Sequence, residues 1–213
     1  MLLGSHNSLT YLTPTKWYLR PFHFMAKCQS VNYKEQYEKY GIRVFDLRIW
    51  FDENGKLQVR HGIMQFKADL TFVSEFLDYL NKKRDCYVRI MLEEDNILKK
   101  KPYAQRNEMK FLLFCERLEE AYFHIKFFGG NRKFDGDVIY HFKSSEPPIM
   151  DRYSSTTRLF GKRNDSNWIN RLINQLDDLW PWLYAKIHNK TLLKKHEIED
   201  TDKYLFFDFV NIR

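Results

Sequence analysis

Ten residues, Gly41-Ile42-Arg43-Val44-Phe45-Asp46-Leu47-Arg48-Ile49-Trp50, constrain this chain more than any other stretch. Val44, Phe45, Leu47, Ile49 and Trp50 are β-branched, aliphatic and aromatic types, and a short run of them reads as a buried strand. One carboxylate and one guanidinium, Asp46 and Arg48, are set into that run. Residues two apart in a strand point to the same face, so acid and base project together. Burying a charge costs several kcal/mol unless it is paired or put to use. The strand alone supports two readings equally: a structural Asp–Arg pair, or a pair that serves a ligand.

The flanks supply further polar groups. Leu2-Leu3-Gly4-Ser5-His6-Asn7-Ser8 runs from apolar into small polar residues, as a strand entering a loop does. The segment to about Ser30 has no clean period and reads as a long loop with a short helical turn; its Lys16, Trp17, Tyr18 and Arg20 suit either burial or a membrane interface. A helix is expected over Val31–Tyr40, with Gly41 as its stop. Asn54-Gly55 marks a tight hairpin turn, followed by an alternating strand Leu57–His61 that ends in a second histidine. Leu70, Phe72, Val73, Phe76, Leu77 and Leu80 recur at helical spacing. A buried strand Cys86–Leu92 carries Arg89 and ends at Glu93, and a long helix covers Ala104–Tyr122. A strand His124–Phe128 is expected to stop at Gly129-Gly130, with a stronger one over Asp137–Phe142. A helix from Trp168 to Tyr184 is expected to be interrupted by Pro181. Tyr204–Val210 reads as a last buried strand with Asp208 inside it.

Strands alternating with helices predict an α/β fold with a parallel sheet. His6, Asp46, Arg48, His61 and Glu93 fall toward strand ends, the edge where a (β/α) barrel carries its chemistry. At 213 residues the chain is shorter than the roughly 250 usual for that fold, so one domain, a small or incomplete TIM-like barrel over 1–213, is expected. A hydrophobic content of 44% excludes a disordered chain. The 35 Lys and Arg against 28 Asp and Glu favour anionic partners without choosing one; no nucleic-acid recognition motif accompanies them. Cys28, Cys86 and Cys115 lack C-x-x-C spacing and read as reduced, buried thiols. No apolar run reaches membrane-spanning length, and the first residues lack a charged leader. The expectation is an intracellular protein, or one whose leader lies outside this sequence.

Two histidines, two strand-embedded aspartates and an arginine suit cleavage of a phosphodiester by an internal hydroxyl. That reaction needs a base, an acid and a fixed cation, with a carboxylate behind each histidine to set its tautomer. Gly4-Ser5-His6-Asn7-Ser8, Gly41-Ile42-Arg43-x-Phe45-Asp46-Leu47-Arg48 and His61-Gly62 together resemble the X-domain of phosphatidylinositol-specific phospholipase C, bacterial type. Weaker likenesses are Asp151-Arg152-Tyr153, resembling the segment that contacts inositol, and Phe207-Asp208-Phe209-Val210, resembling the last barrel strand. The resemblance implies His6 as general base oriented by Asp208, His61 as general acid backed by Asp46, and Arg48 as the cation for the phosphate. Asp151, Tyr153, Glu93 and Arg89 would contact substrate. The implied partner is a phosphatidylinositol-type phospholipid met at a membrane surface by a monomeric enzyme. Diacylglycerol and inositol 1,2-cyclic phosphate would be its products.

The pattern also departs from the bacterial one. Asn7 and Glu93 stand where the eukaryotic relatives place calcium ligands, so Asn7, Asp46 and Glu93 form a conceivable calcium set. Arg48 takes the place of a further acidic ligand, and metal independence is the expectation. Two competing readings share the barrel: a phosphodiesterase for glycerophosphodiesters or glycosylated inositol lipids, and a non-catalytic head-group binder.

Overall fold

The computed structural model describes residues 2–93, 105–132, 137–143, 149–150, 168–169, 180–196 and 203–212. Its contacts divide the chain into two compact units. The first contains Met1–Tyr11, Pro21–Val44 and Pro148–Arg213, and the second Leu12–Arg20 and Phe45–Pro147.

In the first unit, β1 (Leu2–Ser5), β7 (Ile149–Met150) and β8 (Lys203–Phe207) are strands. β8 lies between the other two and is parallel to both, with Ser5 beside Phe207 at one end of the β1 register. Gly4 makes this pairing close: a Cβ there would stand 2.7 Å from the Phe206 ring. Around the strands are α1 (His23–Ala26), α2 (Tyr33–Glu38) and α5 (Pro181–His196). Asn32 caps α2 by accepting from the Glu35 amide. Pro181 opens α5, as suits a residue whose missing N–H costs nothing at the first helical position; of the helix expected over Trp168–Tyr184, Trp168 and Ile169 are helical and 170–179 lie outside the described residues.

The second unit holds most of β2 (Ile42–Phe51), then β3 (Leu57–His61), β4 (Met64–Gln65), α3 (Leu70–Lys83), β5 (Tyr87–Leu92), α4 (Gln105–Ala121) and β6 (Lys126–Arg132). β2, β3 and β4 run antiparallel in turn, and β5 and β6 pair in parallel. The α/β character expected from the sequence is therefore present, but the pairing is mixed rather than all parallel. The Asn54-Gly55 turn makes the β2–β3 connection too short for a crossover. Within each unit the described strands form an open path. Asp69 caps α3, whose Val73, Phe76, Leu77 and Leu80 are buried. Phe111, Cys115 and Leu118 do the same for α4.

Two strand expectations are corrected here. β6 does not stop at the glycines but runs through them to Arg132. Gly129 and Gly130 take positive φ of 95° and 70°, and a shift in the β5–β6 register falls beside them. A Cβ on Gly129 would lie 2.5 Å from the Ile90 carbonyl oxygen, so glycine here admits a bulge and the strand continues. Asp137–Phe142 forms no strand. Val138 makes one isolated bridge to Asn131, and the Ile139 and Tyr140 amides both bond the Gly130 carbonyl.

All three cysteines are buried and in no disulfide, as their spacing predicted. Among the described residues no helix is long and apolar enough to cross a membrane.

His23, at the start of α1, bonds the Thr10 carbonyl through Nε2 at 2.9 Å. Burial pushes its pKa below the ordinary imidazole value and nearby Lys27 adds to this, against a smaller opposing effect of the Thr10 carbonyl. The unfolded chain therefore binds the extra proton first as pH falls below about 6.5, and stability declines there. Urea midpoints are expected to fall between pH 7 and pH 5, and less steeply in a His23→Gln variant.

Candidate active site

The register of β1 with β8 positions the first group of side chains. Ser5 and Phe207 end the two parallel strands side by side, so the next residues, His6 and Asp208, emerge together although 202 positions apart. The His6 amide bonds the Phe207 carbonyl at 3.1 Å, and His6 Nδ1 lies 2.7 Å from Asp208 Oδ1. The Asp208 side chain is 3% exposed and that of His6 13%. An Nδ1–H donating to the carboxylate leaves Nε2 with its lone pair, which is the arrangement of a general base. Asp208 lies just past the end of β8, in a bend, and not within a strand as the apolar run suggested. Phe209 turns the chain there with φ of 49°.

Two buried amides that the sequence did not single out hold this pair in place. Gln29 Nε2 donates to the His6 and Phe207 carbonyls at 3.0 and 2.7 Å, and its Oε1 accepts from the Val210 amide at 3.2 Å. Asn189, on α5, donates through Nδ2 to the Asp208 and Ile212 carbonyls, both at 2.8 Å. Each is an isolated polar residue without a motif around it. Burial, at 0% exposure, is the only sign of its task.

The second group lies in the other unit. Arg48 Nε donates to Asp46 Oδ2 at 3.0 Å, so the same-face placement read from the strand period holds. Arg48 Nη1 is 3.7 Å from Glu93 Oε2. Glu93 is fully buried just beyond β5, where its amide bonds the Ile49 carbonyl and its Oε1 accepts from the Gly62 amide at 2.7 Å. Glu93 therefore joins Arg48 to the turn that follows His61. His61 ends β3 half-buried, and Arg89 is half-buried within β5. The guanidinium stands against both buried carboxylates and places one positive charge beside them. Asn7 belongs to the first unit, where its side chain faces the Cys28 sulfur at 4.0 Å. Asp151 and Tyr153 lie outside the described residues. A groove of about 620 Å³ in the second unit, lined by Phe51, Leu70, Leu77, Lys110 and Arg117 among others, contains none of the expected site residues.

No family model matches the chain, and no curated protein matches it by sequence. Solved structures do. A variant of the phosphatidylinositol-specific phospholipase C from Staphylococcus aureus aligns with 98% of this chain and 84% of its own, at 14% identity and a TM-score of 0.56. A double mutant of that enzyme aligns at 15% identity and a TM-score of 0.59, again over 98% of this chain and 84% of its own. A third structure, concerned with modulation of that enzyme's membrane binding, gives 15% identity and a TM-score of 0.57 over 98% and 85%. The likeness is one of fold. At this identity the bacterial phospholipase lends its architecture to the comparison, and the chemistry has to be argued from the side chains.

Proposed function

We propose that the chain, over residues 1–213, is a phosphodiester-cleaving enzyme of the phosphatidylinositol-specific phospholipase C type, built on a small TIM-like barrel. The observation that carries this reading is the His6–Asp208 pair at 2.7 Å, a buried carboxylate holding a partly exposed imidazole. In the reaction, His6 Nε2 removes the proton of the inositol 2-hydroxyl and that oxygen attacks phosphorus. The bond from phosphorus to the diacylglycerol oxygen breaks, and His61 gives that oxygen its proton. The products are diacylglycerol and inositol 1,2-cyclic phosphate, which the two histidines open more slowly with roles exchanged. Arg48 offsets the charge on phosphorus-bound oxygen, and Asp46 is assigned to orient His61. Glu93, Arg89, Asp151 and Tyr153 are assigned to the head group.

No metal is required in this scheme, because Arg48 already places a cation beside Asp46 and Glu93. Peripheral contact with a bilayer is supported in one unit by Trp17, 76% exposed, beside exposed Tyr18, and in the other by exposed Phe22, Phe24 and Trp180. One observation favours the competing binder: Arg48 is compensated by two buried carboxylates, as a purely structural arginine would be.

Phosphorus NMR of purified protein with phosphatidylinositol vesicles tests the proposal. The cyclic phosphate resonance is expected to grow in first, and excess chelator should not slow it. No product from phosphatidylinositol, with or without calcium, would leave the binder or another phosphodiester.

A further inference from the structure

The acid–base reading makes no use of the buried thiol beside its base. One ligand atom each from His6, Cys28 and Asp208 lie within 4.8 Å of one another. We propose that these three side chains form a binding site for a borderline or soft divalent metal ion, zinc or cadmium in class, and that its occupancy shuts off His6.

The donor set is one imidazole nitrogen, one sulfur and one carboxylate oxygen. Calcium and magnesium take shells of oxygen, whereas a thiolate with an imidazole selects zinc-like ions. A tetrahedral shell with bonds of about 2.0–2.3 Å puts its ligand atoms about 3.3–3.8 Å apart. No two of the three atoms lie farther apart than 4.8 Å, and the His6 Nδ1–Asp208 Oδ1 pair at 2.7 Å has to open by about 0.6 Å to admit the ion. The backbones that carry the ligands are already braced to one another. The Cys28 amide donates to Thr10 Oγ1 at 2.9 Å, and that hydroxyl in turn donates to the Asn7 carbonyl next to His6. The Cys28 carbonyl accepts from the Phe209 amide at 2.6 Å, next to Asp208. Cys28 is thus tied to both turns that present the other ligands.

Charge balances as well. A divalent ion with one thiolate, one carboxylate and a neutral imidazole sums to zero, which suits a place where Cys28 and Asp208 are buried. Binding releases the thiol proton to solvent. His6 is the most exposed of the three, so the ion enters from the imidazole side, and water completes the shell there. An ion held by His6 Nδ1 and Asp208 takes the place of the hydrogen bond between them; the Nδ1 proton passes to Nε2, so that nitrogen has no lone pair left to act as a base. That consequence rests on the proposed function; the binding does not.

Titration of the full chain, freed of metal, with cobalt(II) or cadmium tests both parts. One saturating equivalent is expected, with a sulfur-to-metal charge-transfer band in the ultraviolet. Cys28→Ser should abolish the band, and His6→Ala should weaken binding by about tenfold or more. Cys86 and Cys115 remain in the Cys28 variant, and burial together with Glu119 and Glu116 pushes the Cys115 thiol up, away from the thiolate form. Cadmium NMR of the unaltered chain gives a measurement that no folding defect can mimic, and one resonance in the single-sulfur range is expected. Absence of saturable binding, or a band that survives Cys28→Ser, would overturn the site. If metal-free protein cleaves phosphatidylinositol and saturating cadmium leaves the rate unchanged, the inhibitory role falls. Binding by a protein with no cleavage activity would strike the proposed function and leave the site standing.

Discussion

Protein carrying His6→Ala is expected to release diacylglycerol from phosphatidylinositol vesicles at least about 10²-fold more slowly than the parent chain, and up to about 10⁴-fold, the range one general base contributes. The side chain is partly exposed, and the Gln29 bond to residue 6 goes to its backbone carbonyl, which the substitution keeps. The buried Asp208 carboxylate loses its imidazole partner, so the thermal midpoint should also fall, by a stability loss of about 1–3 kcal/mol that leaves the chain folded for the assay. Asp208→Asn separates positioning from proton transfer. The amide keeps the shape of the buried group, but its NH2 can face Nδ1 and turn the imidazole to the wrong tautomer. A fall in kcat with KM nearly unchanged, and a shifted acidic limb in the pH–rate profile, is the expected signature. Full activity in His6→Ala would remove the basis of the proposed mechanism.

The largest expected effect on stability is at Arg48. Arg48→Met replaces the guanidinium between two buried carboxylates with an uncharged side chain of similar length. Breaking a buried ion pair by deleting one partner costs about 3–5 kcal/mol. The urea midpoint at pH 7 should fall accordingly, and activity with it. Arg48→Lys restores the charge but not the planar fork that meets Asp46 through Nε and Glu93 through Nη1, so it should recover part of the stability. A midpoint unchanged in Arg48→Met would show that the pair carries little of the fold, contrary to its burial.

How much of this was legible beforehand depends on what kind of information each element carries. β1, β2, β3 and α3 were readable, because a strand or an amphipathic helix writes its period into its own residues. The same-face relation of Asp46 and Arg48 followed from that period alone. Gly129-Gly130 was misread because a glycine pair signals a special backbone without saying whether the chain stops or bulges. Only the neighbouring Ile90 carbonyl and the Tyr140 backbone decide for the bulge.

The chain's own residues determined which groups are available for chemistry: two histidines, an acid–base pair in one strand, and turn residues that place them at strand ends. The resemblance named Asp208 as the partner of His6, and no local pattern could have. Periodicity tells which face a residue takes but not which distant strand lies alongside. Tertiary structure decided that, through the in-register pairing of Ser5 with Phe207. It also decided that Glu93 bonds the Gly62 amide and faces Arg48, and that Gln29, Asn189 and Cys28 gather around the histidine. Such contacts depend on the separation of atoms far apart in the chain, and a linear sequence records no distance between them.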